Sequence, residues 1–230
     1  MRLIPLTPLA AALVVFGPVA ISAFGQGETS HAVAGGGISV SGWTGKADGG
    51  GALSDAKLTR EGDSLHIATG PAVTYWNPAN KAAGDYTVKA TFTEPKYMSL
   101  NDHPHPYGIV IAGNDLGSAD QSYLYCAAYG NGSFIVRGFG PEPFQMNGRH
   151  SEANAAVHKA AGPGQSVTQE IAVSVKGGKV ECAINGTVVA GYDKAAVVTA
   201  GKLKSTDGVY GIRAAHNTDL IVSGLKMMKN

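Results

Sequence analysis

The feature that most constrains the fold is the alternation of apolar and polar residues on both sides of Gly177-Gly178. Residues 170–186 read EIAVSVKGGKVECAING. A period of two places one set of side chains on a buried face and the other towards solvent, as in a half-buried strand. Two adjacent glycines accept the positive φ angles of a tight turn, and Asn185-Gly186 supplies a second turn. The stretch therefore predicts two antiparallel strands joined by a hairpin.

The rest of the chain has the same character. Residues 207–227, DGVYGIRAAHNTDLIVSGLKM, add two more strands, and no long stretch after the N-terminal region has apolar residues at helical spacing. About a dozen short strands are expected. Between residues 107 and 184 we expect a meander of five strands, at 108–113, 122–129, 133–139, 170–176 and 179–185, interrupted by a long irregular segment over residues 141–166.

A strand, a glycine-rich hairpin, an ING turn, a GVYGIR strand and a closing LIVSGLKM strand follow one another in this order. The pattern resembles the concanavalin A-like (LamG-like) jelly-roll domain, and within it is similar to the secreted DUF1080 (3-keto-disaccharide hydrolase) family. The resemblance covers residues 43–227. It implies an all-β fold, a two-sheet antiparallel jelly-roll sandwich. It also implies one of three functions: a carbohydrate-binding module, a glycoside hydrolase or lyase, or a non-catalytic protein-interaction domain.

The N-terminus has the features of a targeting signal. Arg2 is followed by a largely apolar run over residues 9–21 and by Ala23, a small residue at a cleavage position. We predict a signal peptide over residues 1–23, a flexible lead-in over 24–38, and a single domain over 39–230, exported to the periplasm or the exterior. No cysteine lies near the cleavage region, so no lipid membrane anchor is expected. A net charge of +1 without a basic cluster predicts no nucleic-acid partner.

Two cysteines in an exported chain raise the alternatives of a disulfide and of two free thiols. In the expected meander Cys126 and Cys182 would lie three strands apart, about 14 Å at about 4.8 Å per strand. A disulfide needs Cα atoms within about 7 Å. The sequence therefore favours two buried free thiols.

Alternation also predicts which side chains share the outer face of a sheet. In residues 122–129, Leu124 and Cys126 would point into the core and Tyr123 and Tyr125 away from it. The same reasoning gives a band of aromatic and charged side chains suited to sugars, or else an ordinary solvated face with ion pairs. The members of this band are Tyr123, Tyr125, Arg137, Glu170, Glu181 and Arg213. Glu170 and Glu181 are also candidate catalytic carboxylates, because they are expected on one face of neighbouring strands.

The string NDHPHPY at residues 101–107 supplies further candidates. His103, His105 and Tyr107 are expected to contact a ligand, and His105 is a third catalytic candidate because imidazole titrates near neutral pH. Two histidines without a third ligand at short spacing predict no metal site. Trp76 precedes a proline-containing loop and is either a core residue or a rim aromatic for the ligand.

Calcium is the remaining cofactor to consider. Asp115, Asp120 and Asp207 could contribute to a Ca²⁺ site, but their spacing does not favour one. No cofactor is therefore expected.

Overall fold

The computed structural model describes residues 29–230. The predicted signal peptide lies outside the described residues. In the described part of the predicted lead-in, residues 37–38 form a strand and the backbone N–H of His31 donates to Asn217 Oδ1 at 2.8 Å. This part of the lead-in therefore packs against the domain.

Within residues 29–230, two β-sheets pack face to face. The back sheet has the strand order β1-β3-β4-β16-β6-β12-β13-β14, antiparallel except for the parallel pair β1–β3. Its strands are β1 (Gly37–Ile38), β3 (Ala56–Glu61), β4 (Ser64–Thr69), β6 (Tyr86–Glu94), β12 (Val167–Lys176), β13 (Lys179–Ile184), β14 (Thr187–Asp193) and β16 (Asp219–Lys229).

The front sheet has the order β10-β9-β8-β7-β15-β5-β2 and is antiparallel, with β11 paired separately to β9. Its strands are β2 (Thr44–Ala47), β5 (Val73–Ala82), β7 (Tyr107–Asn114), β8 (Ser122–Ala128), β9 (Ser133–Phe139), β10 (Pro143–Gln145), β11 (Glu152–Ala153) and β15 (Gly208–Ala214). The predicted all-β, two-sheet antiparallel sandwich is confirmed.

Helical structure is sparse in the described region. It comprises 3₁₀ turns at Asp48–Gly50 and Leu53–Asp55 and the helix α1 (Lys194–Val197). In the described residues no helix has the length and apolar character needed to cross a membrane.

The core lies between the sheets and follows the predicted alternation. Leu124 and Cys126 of β8 point into it together with Val173 of β12 and Val180 of β13. Tyr123 and Tyr125 belong to a separate apolar cluster on the other face of β8. The alternation of side chains was therefore predicted correctly for these strands.

The predicted five-strand meander is wrong. Strands β7, β8 and β9 lie in the front sheet, whereas the chain crosses to the back sheet before β12 and β13. The intervening residues 141–166 contribute β10 and β11, which extend the front sheet beside β9. An alternating strand fits either sheet, so the pattern alone does not determine which sheet receives it.

This crossing corrects the prediction of free thiols. Cys126 and Cys182 form a disulfide, with a Cα–Cα distance of 6.0 Å. One cysteine points inward from each sheet, so the bond joins β8 to β13 through the core. The error came from counting strands along one sheet, because the two residues face each other across the sandwich.

Candidate functional site

The outer face of the front sheet contains a cleft of about 710 Å³. Its walls come from β2 and the following 3₁₀ turn on one side and from β9 and β10 on the other. The charged and polar side chains that line it are Lys46, Asp48, Gln121, Tyr125, Arg137, Gln145, Arg213 and His216, and the aromatic ones also include Phe139 and Phe144.

Strand register places the side chains of the cleft in rows. Gln145 of β10 lies directly opposite Arg137 of β9, which lies opposite Tyr125 of β8. Directly opposed residues of antiparallel strands project from the same face. The structure thus brings Tyr125, Arg137 and Arg213 together in one cleft.

Arg213 is the most enclosed charge of the cleft, with 7% of its surface exposed. Its Nη1 donates to Asp48 Oδ1 at 2.9 Å and to Thr74 Oγ1 at 3.0 Å, and Nη2 donates to Asp48 Oδ2. Burial acts to lower the pKa of Arg213, but Tyr123 and Asp48 outweigh it and the pKa is raised. Arg213 is therefore a permanent cation that already has its counter-ion.

Arg137 is bonded differently. Its Nη2 donates to the carbonyl oxygen of Arg149 at 2.9 Å, and it forms no ion pair with a carboxylate of the described chain. Its Nε is buried without a hydrogen-bond partner. The positive charge of Arg137 thus lines the cleft without an internal counter-ion.

Aromatic rings flank the guanidinium group of Arg213. The Arg213 Cζ atom lies 5.7 Å from the centroid of the Tyr125 ring and 5.6 Å from that of Phe139. Phe139 stacks on Tyr123 with 5.0 Å between centroids. Tyr125 is only 8% exposed, whereas Phe139 is half-buried, so Phe139 presents the more accessible ring to a ligand.

Tyr123 supports the cleft from below. It is 1% exposed and its hydroxyl is 2.9 Å from Thr74 Oγ1. The prediction that Tyr123 itself contacts a ligand does not fit this burial.

The two candidate catalytic carboxylates lie elsewhere. Glu170 of β12 and Glu181 of β13 belong to the back sheet, on the other side of the sandwich from the cleft. Glu170 Oε2 pairs with Lys89 Nζ at 2.8 Å. Glu181 lies opposite Ser174, four residues along β12 from Glu170, so the two carboxylates are not adjacent. The prediction that they form a catalytic pair on the same face as Tyr125 and Arg137 is wrong. Strands β12 and β13 lie in the back sheet and do not continue the meander of β7, β8 and β9.

The histidines of the 101–107 string gather at one end of the cleft. The ring of His105 lies 4.5 Å from that of His103 and 3.9 Å from that of His216, measured between centroids, and His216 lines the cleft. His103 Nδ1 is 2.8 Å from Asp102 Oδ1. The predicted region is therefore next to the cleft, through a histidine that the sequence did not single out.

His105 itself does not fit a catalytic role. It is 6% exposed, and burial lowers its pKa to about 4. Its Nδ1 lies 2.6 Å from the carbonyl oxygen of His216 and its Nε2 lies 2.9 Å from His103 Nε2. Since a carbonyl only accepts, Nδ1 carries the proton. Both ring nitrogens are thus engaged within the protein.

Two further predicted ligand contacts are buried. Tyr107 is fully buried in the core and stacks on Phe92 with 5.8 Å between centroids. Trp76 is 7% exposed, and a Cβ at Gly117 would lie 3.5 Å from its ring. Tyr107 and Trp76 therefore do not contribute accessible surface, because the first residue of β7 points inward and the loop after β7 covers Trp76.

No group of three or more His, Cys, Asp or Glu side chains within residues 29–230 is arranged to hold a metal ion. Of the aspartates considered for Ca²⁺, Asp115 pairs with Lys204 at 2.6 Å and Asp207 Oδ1 accepts the N–H of Gly84 at 2.9 Å.

No local sequence signal indicated Lys46, Asp48, Gln145 or His216 as residues of the cleft. Lys46 and Asp48 reach the cleft because β2 pairs with β5 at the far edge of the front sheet. Gln145 arrives on β10, within a segment expected to be irregular. Such positions follow from long-range strand pairing rather than from sequence spacing.

The fold is shared with several solved structures. A carbohydrate-binding module, CBM66, from Bacillus subtilis matches with a TM-score of 0.56 and 6% identity over 84% of this chain and 98% of that one. A Bacillus subtilis protein of unknown function with a galectin-like fold matches with a TM-score of 0.55 and 13% identity, over 81% and 89%. A glycoside hydrolase family 16 endo-glucanase from Bacteroides ovatus matches with a TM-score of 0.51 and 11% identity, over 81% and 94%.

At these identities the likeness establishes the fold, a concanavalin A-like jelly-roll sandwich, as the sequence pattern predicted. No protein-family model matches the chain, and no curated protein matches it in sequence.

Proposed function

We propose that this protein is an exported carbohydrate-binding module that holds its ligand in the cleft of the front sheet. The observation that carries the proposal is the composition of the cleft. An accessible ring, Phe139, lies on the same face as the guanidinium of Arg137 and the exposed amide of Gln145. Rings pack against the C–H faces of sugars, and charged or amide groups form directional hydrogen bonds with hydroxyls.

The number of carboxylates in the cleft favours saccharide binding over saccharide hydrolysis. Glycosidases generally need two carboxyl groups that flank the scissile bond. Among the described residues that line the cleft, Asp48 is the one carboxylate, and it is ion-paired to Arg213. The cleft therefore lacks the pair of carboxyl groups that the glycoside hydrolase or lyase alternative would need.

The neighbouring folds and the disulfide add support of a more general kind. A carbohydrate-binding module and a glucanase share the sandwich, so the fold accommodates saccharides in other proteins. The Cys126–Cys182 disulfide suits an oxidising compartment, in agreement with the proposed export to the periplasm or the exterior.

The test is a glycan array followed by calorimetric titration of the saccharides that bind. Phe139→Leu keeps an apolar side chain and removes the ring, and we expect it to weaken binding about tenfold, the size of a lost ring contact. Tyr192→Leu is the matched control, since Tyr192 is a half-buried aromatic residue on β14 of the back sheet. Near-UV circular dichroism checks that both variants are folded.

Three outcomes would contradict this proposal. Release of new reducing ends from a bound saccharide would establish an enzyme. Equal effects of the two variants would place the site outside the cleft. Failure of every saccharide to bind, with capture of a protein partner, would favour the interaction-domain alternative.

A further inference from the structure

The charges in the cleft are unbalanced. Three cations, Lys46, Arg137 and Arg213, line it against the single carboxylate of Asp48. Both carboxylate oxygens of Asp48 accept hydrogen bonds from Arg213. Asp48 therefore neutralises Arg213 and leaves the charges of Lys46 and Arg137 uncompensated. Lys46 Nζ donates to the carbonyl oxygen of Ser118 at 2.8 Å, a neutral partner.

Arg137 is the cation best placed to receive a ligand. A guanidinium removed from bulk water is costly without a counter-charge, and a buried N–H without an acceptor adds to that cost. Arg137 is half-buried, its Nε is buried without a partner, and its Nη2 donates only to a backbone carbonyl, so no carboxylate of the described residues offsets its charge. Arg213 shows that the same cleft can supply a carboxylate to an arginine, so the lack of one at Arg137 is a specific feature of this position.

The neighbours of Arg137 indicate which other groups a ligand bound to this arginine would contact. Phe139 lies two residues along β9 and projects from the same face, about 7 Å away along the strand. Gln145 lies directly opposite on β10. A sugar ring packed on Phe139 would thus reach Arg137 with an acidic substituent, while Gln145 is within reach of adjacent hydroxyls.

We infer that the cleft binds an anionic saccharide, whose carboxylate or sulfate is bound by Arg137. This inference rests on the proposed carbohydrate-binding function and specifies its ligand class. Planar guanidinium groups bind carboxylate and sulfate oxygens through two parallel hydrogen bonds, which a neutral hydroxyl cannot replace. Lys46 adds attraction over a longer range that depends on ionic strength.

Matched pairs of saccharides test the inference. Trimers of galacturonate are compared with their methyl esters, and sulfated dextran oligosaccharides with unsulfated ones, by calorimetric titration at low and at physiological salt. We expect at least one anionic member to bind about tenfold or more tightly than its neutral partner, as a charged hydrogen-bonding group contributes. The pair that shows the difference distinguishes carboxylate from sulfate.

Arg137→Gln removes the charge and keeps an amide. It should reduce the affinity for the anionic member about tenfold or more and change that for the neutral member by less than about threefold. Arg60→Gln is the matched control, because Arg60 is an exposed arginine on β3 of the back sheet. It should leave both affinities unchanged.

Neutral saccharides that bind as tightly as anionic ones would overturn this inference and leave the proposed function intact. The same conclusion would follow if Arg137→Gln and Arg60→Gln had equal effects. If no saccharide of these pairs binds and none on the glycan array binds either, the proposed function and this inference both fail.

Discussion

Two arginines of the cleft differ in what they contact. Arg213 connects Asp48 to Thr74, and Thr74 in turn contacts the hydroxyl of Tyr123. This chain of hydrogen bonds connects the 3₁₀ turn after β2 to β5, β8 and β15. Arg137 lies outside it and bonds only to a loop carbonyl. Arg213 therefore shapes the cleft, whereas Arg137 is left outside this network, as the proposed ligand contact requires.

Asp48→Asn tests the structural part of this division. It leaves the Arg213 charge, 7% exposed, without its counter-charge, and we expect a loss of roughly 2–3 kcal/mol in the free energy of unfolding. Asp115→Asn is the control, since the Asp115–Lys204 pair is exposed and should contribute less than about 1 kcal/mol. Urea denaturation measures both. Equal losses would mean that the Arg213 network does not stabilise the fold.

Glu94 gives a second residue-scale prediction, in pH dependence. Burial raises its pKa from 4.5 to about 7, and Oε2 is buried without a partner. The folded state therefore binds this proton more tightly than the unfolded state, and this group's contribution to stability falls as pH rises from about 4.5 to 7. Glu94→Gln should stabilise the protein more at pH 8 than at pH 5, by about 2 kcal/mol.

The measurement is urea denaturation of both proteins at the two pH values, with exposed Glu142→Gln as the control. A Glu94→Gln effect that is the same at pH 5 and pH 8 would show that the carboxyl titrates normally in the folded state.

At the scale of elements, β7, β8 and β9 are neighbours in the front sheet, and Tyr125 of β8 and Arg137 of β9 line the cleft. Their outer faces carry small and apolar side chains at the centre, including Val110, Ala127 and Ile135. Gly108 of β7 lies between Arg213 and Ala127 in register. A Cβ at Gly108 would overlap the carbonyl oxygen of Cys126, so this glycine permits the close approach of β7 to β8.

Gly108→Ala should separate β7 from β8 and lower the free energy of unfolding by about 3 kcal/mol, because the obstructing atoms are backbone. Gly162→Ala is the control, since Gly162 has nothing within 4 Å of the added Cβ. It should change stability by less than about 0.5 kcal/mol. Thermal or urea denaturation compares them, and a Gly108→Ala protein as stable as Gly162→Ala would refute the close approach.

At the scale of the whole molecule, the disulfide joins the two sheets directly beneath the cleft. Cys126 follows Tyr125 in β8, so the residue that lines the cleft is adjacent to the one that anchors the sheet to β13. The bond closes a loop with a sequence separation of 56 residues, which includes the crossing between the sheets. It therefore restricts the part of the unfolded chain that must change sheets.

Replacing both cysteines with alanine should lower the free energy of unfolding by about 4 kcal/mol, as loop closure of this length predicts. Urea denaturation of the oxidised protein and of the Cys126→Ala, Cys182→Ala variant gives the difference. A reductant should destabilise the first and not the second. Equal stability of the two oxidised samples would refute the role assigned to the bond.

Local sequence determined the strands and the direction of their side chains. The alternation around Leu124 and Tyr125 separated core from outer face correctly, because a period of two is a property of the strand itself. The tertiary structure alone decided which strands are neighbours. It placed Glu181 on the sheet opposite Arg137, joined Cys126 to Cys182, and brought Asp48 to Arg213 from 165 positions away. An alternating strand fits either sheet equally well, so its partner depends on packing between distant segments that no local pattern encodes.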